Sequence, residues 1–237
     1  MSQPLLSVQG MTKRFGGINA LDAVSFTVHA GEVVGLIGPN GSGKTTLMSS
    51  LAGLTPVDAG ALTDGDGHTL QLTATDRRLF FLPDGISPWP DQRVDWFLDF
   101  VATLLGSDPS LVARVHAVFG IDALRSQRLG ELSKGQRKRV LLAATLCVPR
   151  PLLLLDEPFD GLDFRQTREA MALVRDIAST GRTILLSIHS TGDAERVCDR
   201  LVLLSDGRVI GDGTLDDLRQ RVGRADANLE EVFLALA

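Results

Sequence analysis

The apolar run Val33-Val34-Gly35-Leu36-Ile37 leads straight into Gly38-Pro39-Asn40-Gly41-Ser42-Gly43-Lys44-Thr45, which is followed by Thr46-Leu47-Met48-Ser49-Ser50-Leu51-Ala52. That order spells strand, glycine-rich loop, helix. The glycines let the backbone turn sharply and aim successive N–H groups inward, so loop and helix N-terminus form a concave site for anionic oxygens. In the spacing G-x-x-x-x-G-K-[ST], Lys44 reaches the outer phosphates and Thr45 offers its hydroxyl to a magnesium ion that bridges them. A nucleoside triphosphate site is the expectation. The loop alone does not say what the bound energy drives.

A chain of 237 residues holds one large domain with a sizeable core, or a core carrying a smaller lobe. A formal charge of -5 supplies no broad attraction to nucleic acid or anionic lipid, so nucleic acid is not an expected partner. Cys147 and Cys198 lie far apart without metal-type pairing, which argues against a disulfide framework or zinc site and for a reducing cytosol. No apolar stretch approaches the roughly 20 residues that cross a bilayer. The start, Met1-Ser2-Gln3-Pro4, carries no secretory pattern.

Residues 5–10 and 22–29 alternate apolar and polar positions, as half-buried strands do, and the polar, glycine-containing segment from Lys13 to Asn19 separates them. They are expected to form an antiparallel edge sheet. The runs 33–37, 152–155, 183–188 and 201–204 lack alternation, as parallel strands covered on both faces do. Helical patterns lie at 44–53, 135–147, 165–179 and 192–198, and Asp91 to Gly130 has helical spacing without a strand. The fold expected is therefore α/β: a P-loop NTPase core with a mostly parallel central sheet, an N-terminal antiparallel β subdomain and an inserted helical subdomain. The expected division of the single domain 1–237 is 1–85 and 150–237 for the core and about 86–149 for the helical part. Thr214 reads as the N-cap of a short helix to Val222, and Leu229, Val232, Phe233 and Leu236 share a face of a final helix.

Leu152-Leu153-Leu154-Leu155 ends in Asp156-Glu157. Side chains alternate along a strand, and ligands bind at the carboxyl ends of strands in open α/β sheets, so adjacent acids there take different roles. Asp156 is expected to support the magnesium shell. Glu157 is expected to face the attacking water, orient it and accept its proton, without a covalent protein intermediate.

The ordered set of phosphate loop, Leu132-Ser133-Lys134-Gly135-Gln136, Asp156-Glu157-Pro158, Gly161-Leu162-Asp163 and His189 resembles the ATP-binding cassette (ABC) ATPases across nearly the whole chain. The resemblance implies ATP and Mg2+ as cofactors and an ATPase coupled to transport. It makes Ser133, Gly135 and Gln136 a second phosphate-contacting element, facing ATP held by the opposite subunit of a homodimer or heterodimer. It makes Asp163 the acid that couples the two sites. It makes His189 the switch residue that contacts the γ-phosphate and holds the site around Glu157. Phe15 stands where the family sets an aromatic ring against adenine, and a phenyl face serves for stacking. His29, His68 and His116 match no motif and are expected to be structural or exposed.

Two departures bear on function. Where most members carry a glutamine, this chain reads Leu82-Pro83-Asp84-Gly85, so Asp84 becomes the third metal-contact candidate beside Thr45 and Asp156. The next segment, Ile86-Ser87-Pro88-Trp89-Pro90, is apolar and stiffened by proline, and the resemblance makes it the docking segment for an integral membrane permease, with Trp89 the candidate contact. A core hinge is an equal alternative for Trp89. Arg137-Lys138-Arg139 is expected on a solvated or salt-bridged helix face. The segments Gly207 to Thr214 and Asn228 to Leu236 resemble small exporter-type drug, lipid or polysaccharide subunits. The location implied is cytoplasmic, peripheral on the inner face of the cell membrane. A soluble non-transport cassette ATPase and a regulatory ATP-binding module are the alternatives.

Overall fold

The computed structural model describes residues 4–70 and 78–237, which build two sheets with helices packed between and around them. The chain opens with a hairpin of β1 (Pro4–Phe15) and β2 (Ile18–His29), then β3 (Val33–Ile37), α1 (Lys44–Leu51), β4 (Ala59–Thr63) and β5 (Leu79–Leu82). The hairpin extends beyond the expected 5–10 and 22–29. Phe15 pairs with Ile18, so the segment read as a connection is mostly strand and the turn is Gly16-Gly17. Gly10, which looks like a strand end, sits at φ +58 where the register shifts between Val8 and Met11. It is a bulge, and the buried Met11 and Lys13 continue the strand past it. β4, not anticipated, adds a third strand in the order β2-β1-β4. Its sequence Ala-Gly-Ala-Leu-Thr is too small and too even to signal one.

Next come α2 (Val94–Leu105), α3 (Pro109–Phe119) and α4 (Lys134–Leu146). Local chemistry sets their ends: Asp108 caps α3 by accepting from the Ser110 N–H, with Pro109 as first helical residue, and Ser133 caps α4. The chain continues through β6 (Leu152–Leu155), α5 (Phe164–Ser179), β7 (Thr183–Ser187), α6 (Thr191–Val197), β8 (Arg200–Ser205) and β9 (Arg208–Gly213). It closes with α7 (Leu215–Val222) and α8 (Leu229–Leu236). Thr214 caps α7 as expected, and Asn228 caps α8 in the same reciprocal way.

The larger sheet has the order β5-β6-β7-β3-β8-β9, parallel throughout except for the antiparallel edge strand β9. β9 is polar and glycine-containing, which hid it from a reading based on apolar runs. Both faces of this sheet are buried, and β6 shows how. Leu152 and Leu154 join the cluster made with α1 and the antiparallel sheet, while Leu153 and Leu155 join the cluster made with the later helices. The second cluster runs without a break from Leu153, Ile184 and Leu201 into Phe97, Val115 and Leu142 of α2, α3 and α4. The helical segment therefore shares its core with the sheet. Among the described residues no helix is long and apolar enough to cross a membrane.

Candidate functional site

β6, β7 and β3 are neighbours, so their carboxyl ends gather on one edge of the sheet. β3 delivers the phosphate loop, β6 delivers Asp156 and Glu157, and β7 delivers Ser187 and then His189. The loop wraps tightly: Gly43, the residue ahead of α1, has φ +104, and a Cβ there would fall 2.4 Å from the Ala20 carbonyl oxygen of β2. Only glycine fits. Lys44, Thr45 and Thr46 are the first residues of α1, and Leu47 N–H donates to Gly43 O at 2.8 Å. Their N–H groups thus face out of the helix end with Gly38, Pro39, Asn40, Gly41 and Ser42 arched above them.

Lys44 is buried, and its Nζ donates to Gly38 O at 2.7 Å and Pro39 O at 3.0 Å. Burial pushes its pKa below the ordinary lysine value, and the charges of Glu157 and then Asp156 partly restore it. Thr45 Oγ1 donates to Asp156 Oδ2 at 3.0 Å, so two of the expected metal-contact residues already meet. The other Asp156 oxygen accepts from Ser187 Oγ at 2.6 Å. Ser42 Oγ is buried without a hydrogen-bond partner, an orphaned polar atom inside the loop. An oxygen-rich anion with a hard cation fits this donor set: hydroxyls, one carboxylate, an ammonium and a helix N-terminus.

Glu157 sits in the left-handed region at φ +47, unusual for a residue with a Cβ. Three side chains hold it there. Its N–H donates to Ser187 Oγ at 2.8 Å, its carboxylate Oε1 lies 2.5 Å from His189 Nε2, and its carbonyl accepts from Lys138 Nζ at 2.9 Å. Glu157, Ser187 and His189 line a cavity of about 270 Å³ that continues past Asp160, Gly161 and Leu162.

The remaining candidates lie elsewhere. Ser133 and Gln136 cap each other: Gln136 N–H donates to Ser133 Oγ at 3.2 Å, and Ser133 N–H donates to Gln136 Oε1 at 2.9 Å. Gly135 packs so close to the next loop that a Cβ would fall 2.5 Å from the Gly161 carbonyl oxygen. Lys134 Nζ meets Asp160 at 2.6 Å in the same contact. Among the described residues no hydrogen bond or ion pair joins residues 133–136 to the phosphate loop. Asp163 caps α5, accepting from Gln166 N–H at 2.8 Å. Phe15, half exposed at the hairpin tip, has Lys13 Nζ 5.3 Å from its ring centre.

Asp84 is not brought to the Thr45–Asp156 pair by any hydrogen bond. Its Oδ1 accepts from Lys138 Nζ at 2.8 Å. Burial opposes its charge, but the bond from Lys138 and that residue's charge, together with the Gly85 N–H and the Lys134 charge, hold the carboxyl below the ordinary range. Of the solvated or salt-bridged face expected for this run, Lys138 takes the salt-bridged form, buried against Asp84, whereas its neighbours Arg137 and Arg139 bond the carbonyls of Leu132 and Phe119. Ser187 and Lys138 are therefore site residues that sequence reasoning passed over. Strand register offered a signal for Ser187, since Leu155 pairs with Leu186 and sets Ser187 beside Asp156.

With the geometry in place, comparison with known proteins decides the family. The ABC transporter family model matches residues 21–160. The chain belongs to the ABC transporter family. It is 36% identical over 213 residues to a cobalamin import ATP-binding protein of Halobacterium salinarum, covering 86% of this chain and 54% of that one. It is 33% identical over 228 residues to the Nod factor export ATP-binding protein I of Ralstonia nicotianae, covering 92% of this chain and 69% of that one. A solved ATP binding subunit of an ABC transporter superposes with a TM-score of 0.87 at 31% identity, over 98% of this chain and 99% of that chain. This ABC cassette binds ATP, is an ATPase, and is the ATP-binding subunit type of an ABC transporter.

Proposed function

We propose that the chain hydrolyses ATP at the carboxyl edge of β3, β6 and β7 and uses that reaction to energise a separate membrane permease. The observation that carries the reading is the meeting of Thr45 with Asp156 beside a Glu157 held from three sides. In this reading Glu157 orients a water and takes its proton as the water oxygen attacks the γ-phosphorus and ADP leaves. Lys44 and the N–H groups of Gly41, Gly43, Lys44, Thr45 and Thr46 offset the charge on the phosphate oxygens. His189 keeps the Glu157 carboxylate aimed and contacts the γ-phosphate. Thr45 and Asp156 would hold Mg2+, which supplies further neutralisation of phosphate charge when bound. Phe15 stacks on adenine.

The site is half of a composite. Gly135 packs against Gly161 and Lys134 pairs with Asp160, while among the described residues no bond joins residues 133–136 to this chain's phosphate loop, which supports a role towards ATP held by a second ABC subunit, with Asp163 at the junction. The permease is proposed to dock near Ile86 to Pro90. Ile86 and Trp89 are exposed there, and Trp89 meets Trp96 and Phe100 edge-on with ring centres 5.9 and 5.6 Å apart. The chain would then be cytoplasmic and peripheral on the inner membrane face. Export is the proposed direction, resting on the resemblance of residues 207–214 and 228–236, while relatives of similar identity carry names for both import and export.

The test is purification of the tagged chain from detergent-solubilised membranes. A multi-span membrane protein that co-purifies and changes the ATPase rate supports the reading. A fully soluble dimer that hydrolyses ATP at the same rate without any membrane partner overturns the transport assignment.

A further inference from the structure

The bond from Lys138 to the Glu157 carbonyl has no place in the reaction just described. Glu157 has a Cβ yet holds φ +47, so its conformation persists only where its surroundings impose it. Ser187 fixes its N–H, His189 meets its carboxylate, and both follow from β7. The carbonyl is fixed by Asp160 N–H at 3.2 Å within the same loop and by Lys138 Nζ at 2.9 Å. Lys138 is thus the contact that reaches Glu157 from a different layer, the buried face of α4. Its side chain is only 8% exposed, and a buried ammonium needs a counter-charge. Asp84 supplies it at 2.8 Å.

We propose that Lys138 is a positioning residue for ATP hydrolysis: it holds the Glu157 backbone so that the carboxylate faces the water, and Asp84 acts on turnover as its counter-ion, not as a metal contact. The proposal rests on Glu157 being the base. The pair links the loop after β5, the first turns of α4 and the turn after β6 through one ammonium. Loss of the ammonium leaves the Glu157 carbonyl with only the longer bond from Asp160 N–H at 3.2 Å and lets the peptide relax from its left-handed conformation, which tilts the carboxylate away from the reacting centre. The phosphate loop bonds none of these three residues, so nucleotide binding should survive.

The experiment compares Lys138→Met, Lys138→Arg, Asp84→Ala, the double variant Lys138→Met with Asp84→Ala, and Glu157→Gln. Each is assayed for kcat, KM for ATP, the Mg2+ concentration giving half-maximal turnover, and thermal unfolding. Methionine keeps the length of the lysine side chain but donates nothing, and the Asp84 carboxylate it leaves behind is 39% exposed and can take water. The expected result is a fall in kcat of tenfold or more for Lys138→Met with KM within about twofold, and recovery of most of kcat in Lys138→Arg. The double variant should turn over no more slowly than Lys138→Met, and Asp84→Ala should leave the Mg2+ requirement unchanged. If Lys138→Met does not fold, Asp84→Asn with Lys138→Gln keeps neutral hydrogen-bonding groups in place and is judged by the same kcat criterion. Unchanged kcat in a folded Lys138→Met, or a Mg2+ requirement raised severalfold by Asp84→Ala in both backgrounds, overturns the proposal. If Glu157→Gln keeps full turnover, the base assignment fails. If Glu157→Gln is inactive while Lys138→Met is normal, the base stands and the positioning role falls.

Discussion

Replacing Ser187 by alanine tests how the site is held without touching any group expected to meet ATP. Ser187 is fully buried, and its hydroxyl makes two bonds in opposite senses: it donates to Asp156 Oδ1 at 2.6 Å and accepts from Glu157 N–H at 2.8 Å. A bond to a buried carboxylate contributes about 1.5–3 kcal/mol, and a buried N–H left unmade costs roughly 1–3 kcal/mol. Asp156 keeps its bond from Thr45, so the loss falls short of a full carboxylate desolvation. The two together span about 2.5–6 kcal/mol, and the retained Thr45 bond with the partly exposed Glu157 N–H places the loss in the lower half, at about 3–4 kcal/mol. At roughly 2–4 °C per kcal/mol for a chain of this size, the midpoint of unfolding should drop by about 10 °C. Urea unfolding of the nucleotide-free protein reads the free energy directly, and steady-state assays read the site. Turnover should fall more than ATP affinity does, because the N–H lost is the one that holds Glu157. A Ser187→Ala protein within about 0.5 kcal/mol of the parent, with unchanged kcat, would refute the reasoning.

Three further outcomes follow from the same geometry. Phe15→Ala should raise KM for ATP about five- to tenfold with kcat nearly unchanged, since an aromatic stacking contact contributes about 1 kcal/mol, and Phe15→Tyr should restore it. Gly135→Ala should lower turnover and destabilise the fold by about 1–3 kcal/mol, because its Cβ would fall 2.5 Å from Gly161 O and push the start of α4 off the loop that carries Asp160 and Asp163; equilibrium unfolding and ATPase assays check both. His116 is held below its ordinary pKa of 6.5 by burial and then by the Arg125 charge, whose Nη2 lies 3.3 Å from Nδ1. The unfolded chain therefore binds this proton more readily, so stability should fall as pH drops below about 6.5 until the folded value is reached, and His116→Gln should flatten that slope in unfolding measurements between pH 7 and 5.

The parts of this protein legible in its sequence are those whose physics is local. Gly38 to Thr45 announce a phosphate site because only glycines turn the chain that tightly, and four leucines ending in Asp156-Glu157 announce a buried strand with acids at its ligand-facing end. The helix start at Thr214 carries its cap in neighbouring residues, as do those the structure shows at Ser133 and Asp163. What stayed hidden depends on partners distant in the chain. Ser187 reads as a strand residue until register sets it beside Asp156, and Lys138 reads as one base among three until packing buries it between Asp84 and Glu157. β4 and β9 lack apolar periodicity because they are edge strands built of small and polar residues. Gly10 shows the converse, a residue that suggests a strand end locally and proves to be a bulge within a longer strand.

In the proposed reading Glu157 takes the proton of the attacking water at a site that closes only between two subunits. Glu157→Gln keeps the shape and the backbone contacts while removing the base, and the measurement is turnover together with light scattering in the presence of ATP and Mg2+. The expected result is ATP binding at near-parental affinity, turnover reduced roughly 100-fold or more, and an ATP-bound dimer that persists on dilution. Steady-state hydrolysis at the parental rate, with no change in dimer lifetime, would contradict it.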